Sequence, residues 1–452
     1  MTSDSAKPAP VPSPVNVADL LENGRWTGHL KFLIFLTALT IIFDGADNQL
    51  LGIAIPSLMK DWSLPRSAFA PLLAVGLFGM MLGGALGGLL GDRFGRKTVL
   101  LGSVATFGVM TIAVSAINSV TALGVLRFLA GLGLGAAMPN AAALASEYVP
   151  RRQRPIAVTL TIVCVPLGGM LAAAVADKIL PTHGWRTLFV IGGVAPLVTV
   201  LALTRLLAES PRFLARNPKH WPRLSRFMQR AGHVIPADSH FTDPAQTSVR
   251  KATLGALLAP EFRRDTLGLW CAFFACLLAV YASFYWIPSL LAGAGLASLA
   301  SRGLLYFNLG GAAGAILGAV VIARLGSKPT MLALAAAAIV SALILSAMTL
   351  DKNTDVTRLL VMLTLAGAMI NGVQTTMYAL AAHVYPAEIR ATGVGTAASM
   401  GRIGGLVSTY VGAWAMEAGG SRTYFLAIAA AMVMTFAGLA VMRRHVQRHS
   451  RA

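Results

Sequence analysis

Apolar runs of bilayer-spanning length recur from one end of this chain to the other, and no water-soluble fold could bury so many of them. Ala70–Leu90, Val99–Ala116, Ile156–Ala176 and Met331–Leu350 each reach, or nearly reach, the roughly 20 residues that cross a hydrocarbon core at 1.5 Å per residue. By this criterion about twelve spans lie near 30–55, 68–90, 98–117, 121–145, 155–177, 186–207, 265–293, 301–323, 329–350, 357–382, 391–416 and 422–442. Only 12% of the 452 residues are charged, against about 25% in a soluble domain. The expected fold class is an all-α integral membrane protein with 12 transmembrane helices.

The formal charge of +19 would suggest nucleic acid in a soluble protein. Here the basic residues are distributed over alternate connections: Arg93, Arg96 and Lys97; Arg151, Arg152 and Arg154; Arg212, Arg216, Lys219, Arg223, Arg226 and Arg230; Arg324 and Lys328; and Arg443, Arg444, Arg448 and Arg451 in the tail. The other connections are short and poorer in Lys and Arg. This positive-inside pattern puts both termini and the 208–264 loop in the cytoplasm. Nucleic-acid binding is excluded because the charges share no face. Cys164, Cys271 and Cys276 fall within spans, lack metal-ligand spacing and read as packing residues. No nucleophile–base set or metal cluster points to an enzyme, and no cofactor or metal is expected. The proline-rich start has no leader pattern; it reads as a polar tail followed by a short amphipathic piece around Val17–Leu21.

One long polar loop divides the spans into six and six. The expected organisation is a cytoplasmic tail (1–28), a first bundle (29–207), a cytoplasmic linker (208–264), a second bundle (265–442) and a basic tail (443–452). The halves echo each other. Glu147-Tyr148-Val149-Pro150, Arg154 and Gly168-Gly169 correspond to Val384-Tyr385-Pro386, Arg390 and Gly404-Gly405, with an offset of 236 for the arginines and glycines. The run from Gly91 to Lys97 has a counterpart from Ile322 to Lys328. Repeated halves are the architecture of alternating-access transporters, with the solute near the midplane between them.

The first span carries Asp44 and Asp47 at its centre. A carboxylate there costs about 2.5–3.5 kcal/mol on insertion scales, so a span that only filled space would not hold two. Arg127, roughly 10 Å in from the outer face, lies at the same depth and is a partner for Asp44 or Asp47. A carboxylate that pairs with arginine in one state and protonates in the other would couple protons to conformation; a static structural pair is the alternative. Arg402, roughly 16 Å from the cytoplasmic end of its span, reads either as the anchor of an anionic substrate or as the partner of a protein carboxylate or helix carbonyls. Asn371, Gln374 and Tyr378 share one helix face. With Tyr281 they offer the amide and aromatic groups that a planar ring with polar substituents needs. Tyr285 and Trp286 read instead as aromatics of the outer interface. His383 is a candidate titrating group, since histidine changes charge near neutrality.

Between the second and third spans lies Gly88-Leu-Leu-Gly-Asp92-Arg93-Phe-Gly95-Arg96-Lys97. A glycine in a tight turn permits positive φ, and Asp92 can accept from a helix N-terminus or an arginine. The run resembles the signature loop of the major facilitator superfamily, where it forms a conformational latch. The chain as a whole resembles the aromatic acid:proton symporters of that superfamily. The resemblance rests on Asp44-Gly-Ala-Asp47, Ala74–Met80, Arg127–Asn140, Glu209-Ser-Pro-Arg212-Phe-Leu, Asn308-Leu-Gly-Gly311 and Tyr385–Gly395. It implies two pseudo-symmetric six-helix bundles, and uptake of small aromatic carboxylates such as hydroxybenzoates, driven by protons, by a monomer in a bacterial inner membrane. It also implies that Asp44, Asp47, Asp92, Arg127, Glu147, Arg390 and Arg402 matter for transport. The chain departs from the family pattern at Ala323 and Ser327-Lys328, which weakens the second latch, and at Ala46, often phenylalanine, which reshapes the pocket. An exporter or antiporter is the alternative within transport, suggested by Val165-Pro166-Leu-Gly-Gly169. A non-transporting receptor would need a folded domain that the 208–264 loop is too short to supply.

Overall fold

The computed structural model describes residues 15–22, 26–150, 153–233, 235, 240–242 and 254–446. The expected N-terminal tail before residue 15, much of the linker after 233, and Arg151, Arg152, Arg448 and Arg451 lie outside the described residues. In chain order the helices are α1 (Val17–Glu22), α2 (Gly28–Trp62), α3 (Ala70–Phe94), α4 (Arg96–Val114), α5 (Val120–Tyr148), α6 (Arg154–Leu206), α7 (Pro211–Ala215), α8 (Trp221–Arg230), α9 (Leu254–Leu257), α10 (Arg263–Gly293), α11 (Ala300–Leu325), α12 (Ser327–Ala347), α13 (Val356–Val384) and α14 (Ala387–Val441).

Among the described residues ten helices are long and apolar enough to cross a membrane. Two of them are far too long to do so once. α6 has 53 residues and α14 has 55, about 80 Å each if straight, against a core about 30 Å thick. Both break at glycine: α6 at Gly184 (φ 73°), α14 at Gly419 and Gly420 (φ 63° at Gly420). Positions 184 and 420 are 236 apart, the offset already present in the sequence echo.

The same helix pairings occur on both sides of the linker. α2 packs on α6 as α10 packs on α14, α3 on α5 as α11 on α13, and α4 on both α5 and α6 as α12 on both α13 and α14. Small residues allow this closeness. A Cβ added at Gly83 of α3 would come within 2.8 Å of the Leu132 backbone in α5, and one at Gly310 of α11 within 2.7 Å of Thr364 in α13. Across the halves α2 meets α10, α3 meets α14, and α6 meets α11. Large apolar side chains such as Leu89, Leu201, Leu317 and Trp414 stand more than 60% exposed on the outside, where only lipid would solvate them.

At the basic end, strand β1 (Val15–Asn16) pairs in parallel with β2 (Phe241–Thr242), and α1 packs on α7. The expected short amphipathic piece is thus α1, and the linker folds back under α2–α6 through α7 and α8.

Candidate functional site

α2 is apolar on every side, so its polar residues stand out by chemistry rather than by pattern. Asp44, Asp47 and Gln49 are all buried, at 4%, 1% and 0% exposure. Asp44 and Asp47 lie one turn apart, close to one face, yet they meet different partners. Asp47 accepts from the Thr111 hydroxyl of α4 and stands 3.5 Å from Arg127 Nη1 of α5. Arg127 Nη2 donates to the same Thr111 oxygen at 3.1 Å, and the guanidinium lies 5.3 Å from the Phe189 ring centre on α6. This ion pair is built wholly from the first half, and Thr111 holds both charges in place.

Asp44 is placed differently. Its Oδ1 is buried without a hydrogen-bond partner among the described residues. The cation it senses is Arg402, on α14 of the other half. Arg402 lies against Gly84 of α3, where an added Cβ would come within 2.9 Å of the guanidinium carbon. Tyr281 of α10 and Tyr378 of α13 are within electrostatic reach of Arg402. Arg402 thus reaches from the second half to α3 of the first, with Asp44, Tyr281 and Tyr378 within electrostatic range of it. A carboxylate with an unused acceptor oxygen, a guanidinium beyond ion-pair distance and two phenols can bind an anion with an aromatic ring, or exchange a proton.

Asn371 is buried, donates to its own helix at Gly367 O (3.0 Å) and packs on Gly311. Gln374 is half-buried on the same helix. His383 and Arg390 are exposed at the basic end, where Arg390 Nε donates to Tyr385 O at 3.3 Å.

The loop between α3 and α4 makes a second cluster. Gly95 takes φ 98°. Asp92 binds Arg96 at 2.7 Å, and its carbonyl accepts from Arg216 at 2.8 Å. Arg96 also donates to Gly88 O at 3.5 Å, while Arg93 stands over Phe94. Glu209 caps α4, accepting from Lys97 N at 2.9 Å, and Ser210 donates to Glu147. The linker is thus fastened to the α3–α4 turn and to the end of α5. Glu209 and Ser210 were visible in the sequence only as part of the resemblance.

Three contributions were not foreseen. Thr111 sits in an apolar run with nothing to mark it. Asn48 accepts from the Tyr285 hydroxyl of α10 at 2.8 Å, and Gln49 exchanges two amide hydrogen bonds with Asn308 of α11, at 3.2 and 2.8 Å. Tyr285 and Trp286, expected at the outer interface, are 3% and 0% exposed. They face the protein interior, because hydropathy does not say which face of an all-apolar helix meets lipid. Farther toward the same end, Arg302 of α11 binds Asp177 of α6 at 3.1 Å, and Arg66 donates to Ser289 O at 3.2 Å. Among the described residues, the side-chain hydrogen bonds and ion pairs between the two sets of helices lie toward the end remote from the basic loops or at mid-membrane.

A multi-pass helical membrane protein with buried opposite charges at the contact between two similarly paired helix sets has the makings of a solute carrier. The Major Facilitator Superfamily family model matches residues 37–363 and again 304–452. The chain belongs to that superfamily, whose members here are transporters and not enzymes. It is 34% identical over 416 residues to the gallate transporter of Pseudomonas putida, covering 91% of each chain. It is 33% identical over 403 residues to the 4-hydroxybenzoate transporter PcaK of Acinetobacter baylyi, covering 88% of this chain and 87% of that one. Among solved structures, the partially occluded inward-open xylose transporter XylE from E. coli aligns with a TM-score of 0.72 at 17% identity, covering 91% of this chain and 97% of that one, which shows a shared fold.

Proposed function

We propose that the chain takes up small aromatic carboxylates, hydroxybenzoates among them, together with protons, by alternating access across a bacterial inner membrane. The observation that carries this reading is the group around Asp44. A buried carboxylate with a free acceptor oxygen lies within electrostatic range of a guanidinium from the other half, as do two tyrosines. The names of the relatives supply the substrate class.

In this reading α6 and α14 are each two spans joined at their glycine break, which makes twelve spans. Residues 29–207 and 265–442 form two pseudo-symmetric bundles, joined by a cytoplasmic linker over 208–264. The repeated helix pairings support that division. The positive-inside pattern supports cytoplasmic termini, with 1–28 and 443–452 as tails. Arg402 anchors the substrate carboxylate by its planar fork, with Tyr281 and Tyr378 against the ring; Asn371 and Gln374 shape the α13 side. Asp44 accepts the coupling proton, and the Asp47–Thr111–Arg127 set holds its helix in register. Asp92, Arg93, Gly95, Arg96, Lys97, Gly88, Glu147 and Arg390 serve the cytoplasmic latch, and His383 is a titrating group beside it. The contacts at the far end support a state closed to the outside. The protein works as a monomer.

The test is uptake of labelled 4-hydroxybenzoate into proteoliposomes with an imposed pH gradient, screened beside phenylpropionates and dicarboxylates. Accumulation that follows inward proton flow supports the reading. Uptake indifferent to the gradient removes the proton coupling, and accumulation only against inward proton flow assigns the chain to the antiporters.

A further inference from the structure

A cavity of about 640 Å³ opens at the basic end, between α8 of the linker and the membrane-surface ends of α2, α4 and α6. Such a volume is within the usual range for small-molecule sites. Its walls hold Lys97, Arg205, Arg223, Arg226 and Arg230, with Glu209 as the one carboxylate among the described residues. That carboxylate is already engaged by the backbone N–H groups of Lys97 and Ser210, at 2.9 and 2.8 Å.

The sequence of α8 explains the arrangement. Leu224, Phe227 and Met228 are buried against the first half, which leaves Arg223, Arg226 and Arg230, at i, i+3 and i+7, along the adjoining, exposed side that borders the cavity. Among the described residues none of these three, nor Arg205, has a carboxylate within ion-pair distance. Arg223 lies within electrostatic range of Lys97, and Arg230 of His29. Among the described residues these like charges gather around a void without a carboxylate partner, and a bound anion would relieve their repulsion.

The cavity also sits at the headgroup level. It is bounded by the first turn of α4 and the last turn of α6, and Phe94 and Leu206 at its edge are 52% and 49% exposed. Apolar side chains beside arginines suit a molecule with acyl chains on one side and a phosphate on the other. We propose that this cavity binds a phosphate group presented by the headgroup of an anionic phospholipid, and so ties the linker to the membrane surface. The inference needs only the membrane setting of the helices and stands apart from the transport reading.

The experiment is native mass spectrometry of the full-length protein in detergent, titrated with phosphatidylglycerol or phosphatidylcholine. The wild type is expected to retain phosphatidylglycerol preferentially. The R223Q/R226Q/R230Q variant is expected to bind it about a hundredfold more weakly, about fivefold for each arginine lost, and R223K/R226K/R230K to stay within a few-fold of wild type because the charge is kept. If the triple glutamine variant does not fold, R226Q is read the same way, with about a fivefold loss expected. Equal retention of phosphatidylglycerol by wild type and the glutamine variants, or equal retention of both lipids by the wild type, overturns the proposal. A parallel arm adds inorganic phosphate. If phosphate raises the melting temperature of the wild type but not of the glutamine variant while no lipid is retained, the ligand is a soluble phosphate and the lipid assignment fails.

Discussion

Replacing Asn308 with alanine is expected to loosen the end of the protein remote from the basic loops. Asn308 and Gln49 are both fully buried, and they are joined by two amide hydrogen bonds at 3.2 and 2.8 Å between α11 and α2. Truncating Asn308 removes both bonds and strands the Gln49 amide. Polar contacts between membrane helices average about 0.6 kcal/mol and reach about 1.7, and a stranded buried amide costs about 1–3 kcal/mol. Under the alternating access proposed above, the cost falls on the closed state alone, because water solvates Gln49 once the helices part. A penalty of about 1–3 kcal/mol shifts the ratio of closed to open forms roughly 5- to 150-fold. The assay is labelling of Ser289→Cys by a membrane-impermeant thiol reagent, in a background without Cys164, Cys271 and Cys276. Ser289 is 2% exposed and lines a cavity of about 350 Å³ at that end. Labelling should speed up in Asn308→Ala by a factor in that range, and Gln49→Ala/Asn308→Ala should add little to either single change. Unchanged labelling, or strictly additive effects of the two substitutions, would refute the reasoning.

Three further outcomes are expected. Asp44→Asn should abolish proton-driven accumulation while leaving exchange of substrate across the membrane, because the exchangeable proton is gone; undiminished uphill uptake of 4-hydroxybenzoate contradicts the role given to this carboxylate. Arg402→Lys should weaken competition by benzoates more than by uncharged analogues, since a lysine cannot form the bidentate contact; equal losses would remove the anchor role. Gly95→Ala should lower the melting temperature of the purified protein, by about 1–3 kcal/mol of strain at a positive φ, made worse because the new Cβ would lie 2.8 Å from the Glu209 carboxyl carbon. An unchanged melting curve would show that the α3–α4 turn can relax at no cost.

Span positions were legible because hydrocarbon thickness sets a length, and length is read directly along the chain. The repeat was legible too. Its offset of 236 carries through to the paired breaks at Gly184 and Gly420, since a glycine at positive φ is where a helix can turn. The cluster at the α3–α4 turn was half legible: Asp92, Arg96 and Lys97 are local in sequence, but Glu209 and Ser210 arrive from the linker more than 110 residues away. Partner choice was the hardest to read. Arg127 fitted either aspartate by depth, and only packing brought Thr111 beside Asp47 and left Asp44 to Arg402 of the other half.

The sequence on its own determined that this is a helical membrane protein with a basic end, a duplicated plan and carboxylates inside its first span, because those properties depend on the length of apolar runs, the order of charges and the cost of a buried ion. Tertiary structure alone decided which face of each helix turns inward. In a membrane, lipid and protein interior are equally apolar, so hydropathy does not orient a helix. Contacts such as Gln49 with Asn308, Asn48 with Tyr285 and the burial of Trp286 come from close packing at small residues and from the demand that every buried polar group find a partner.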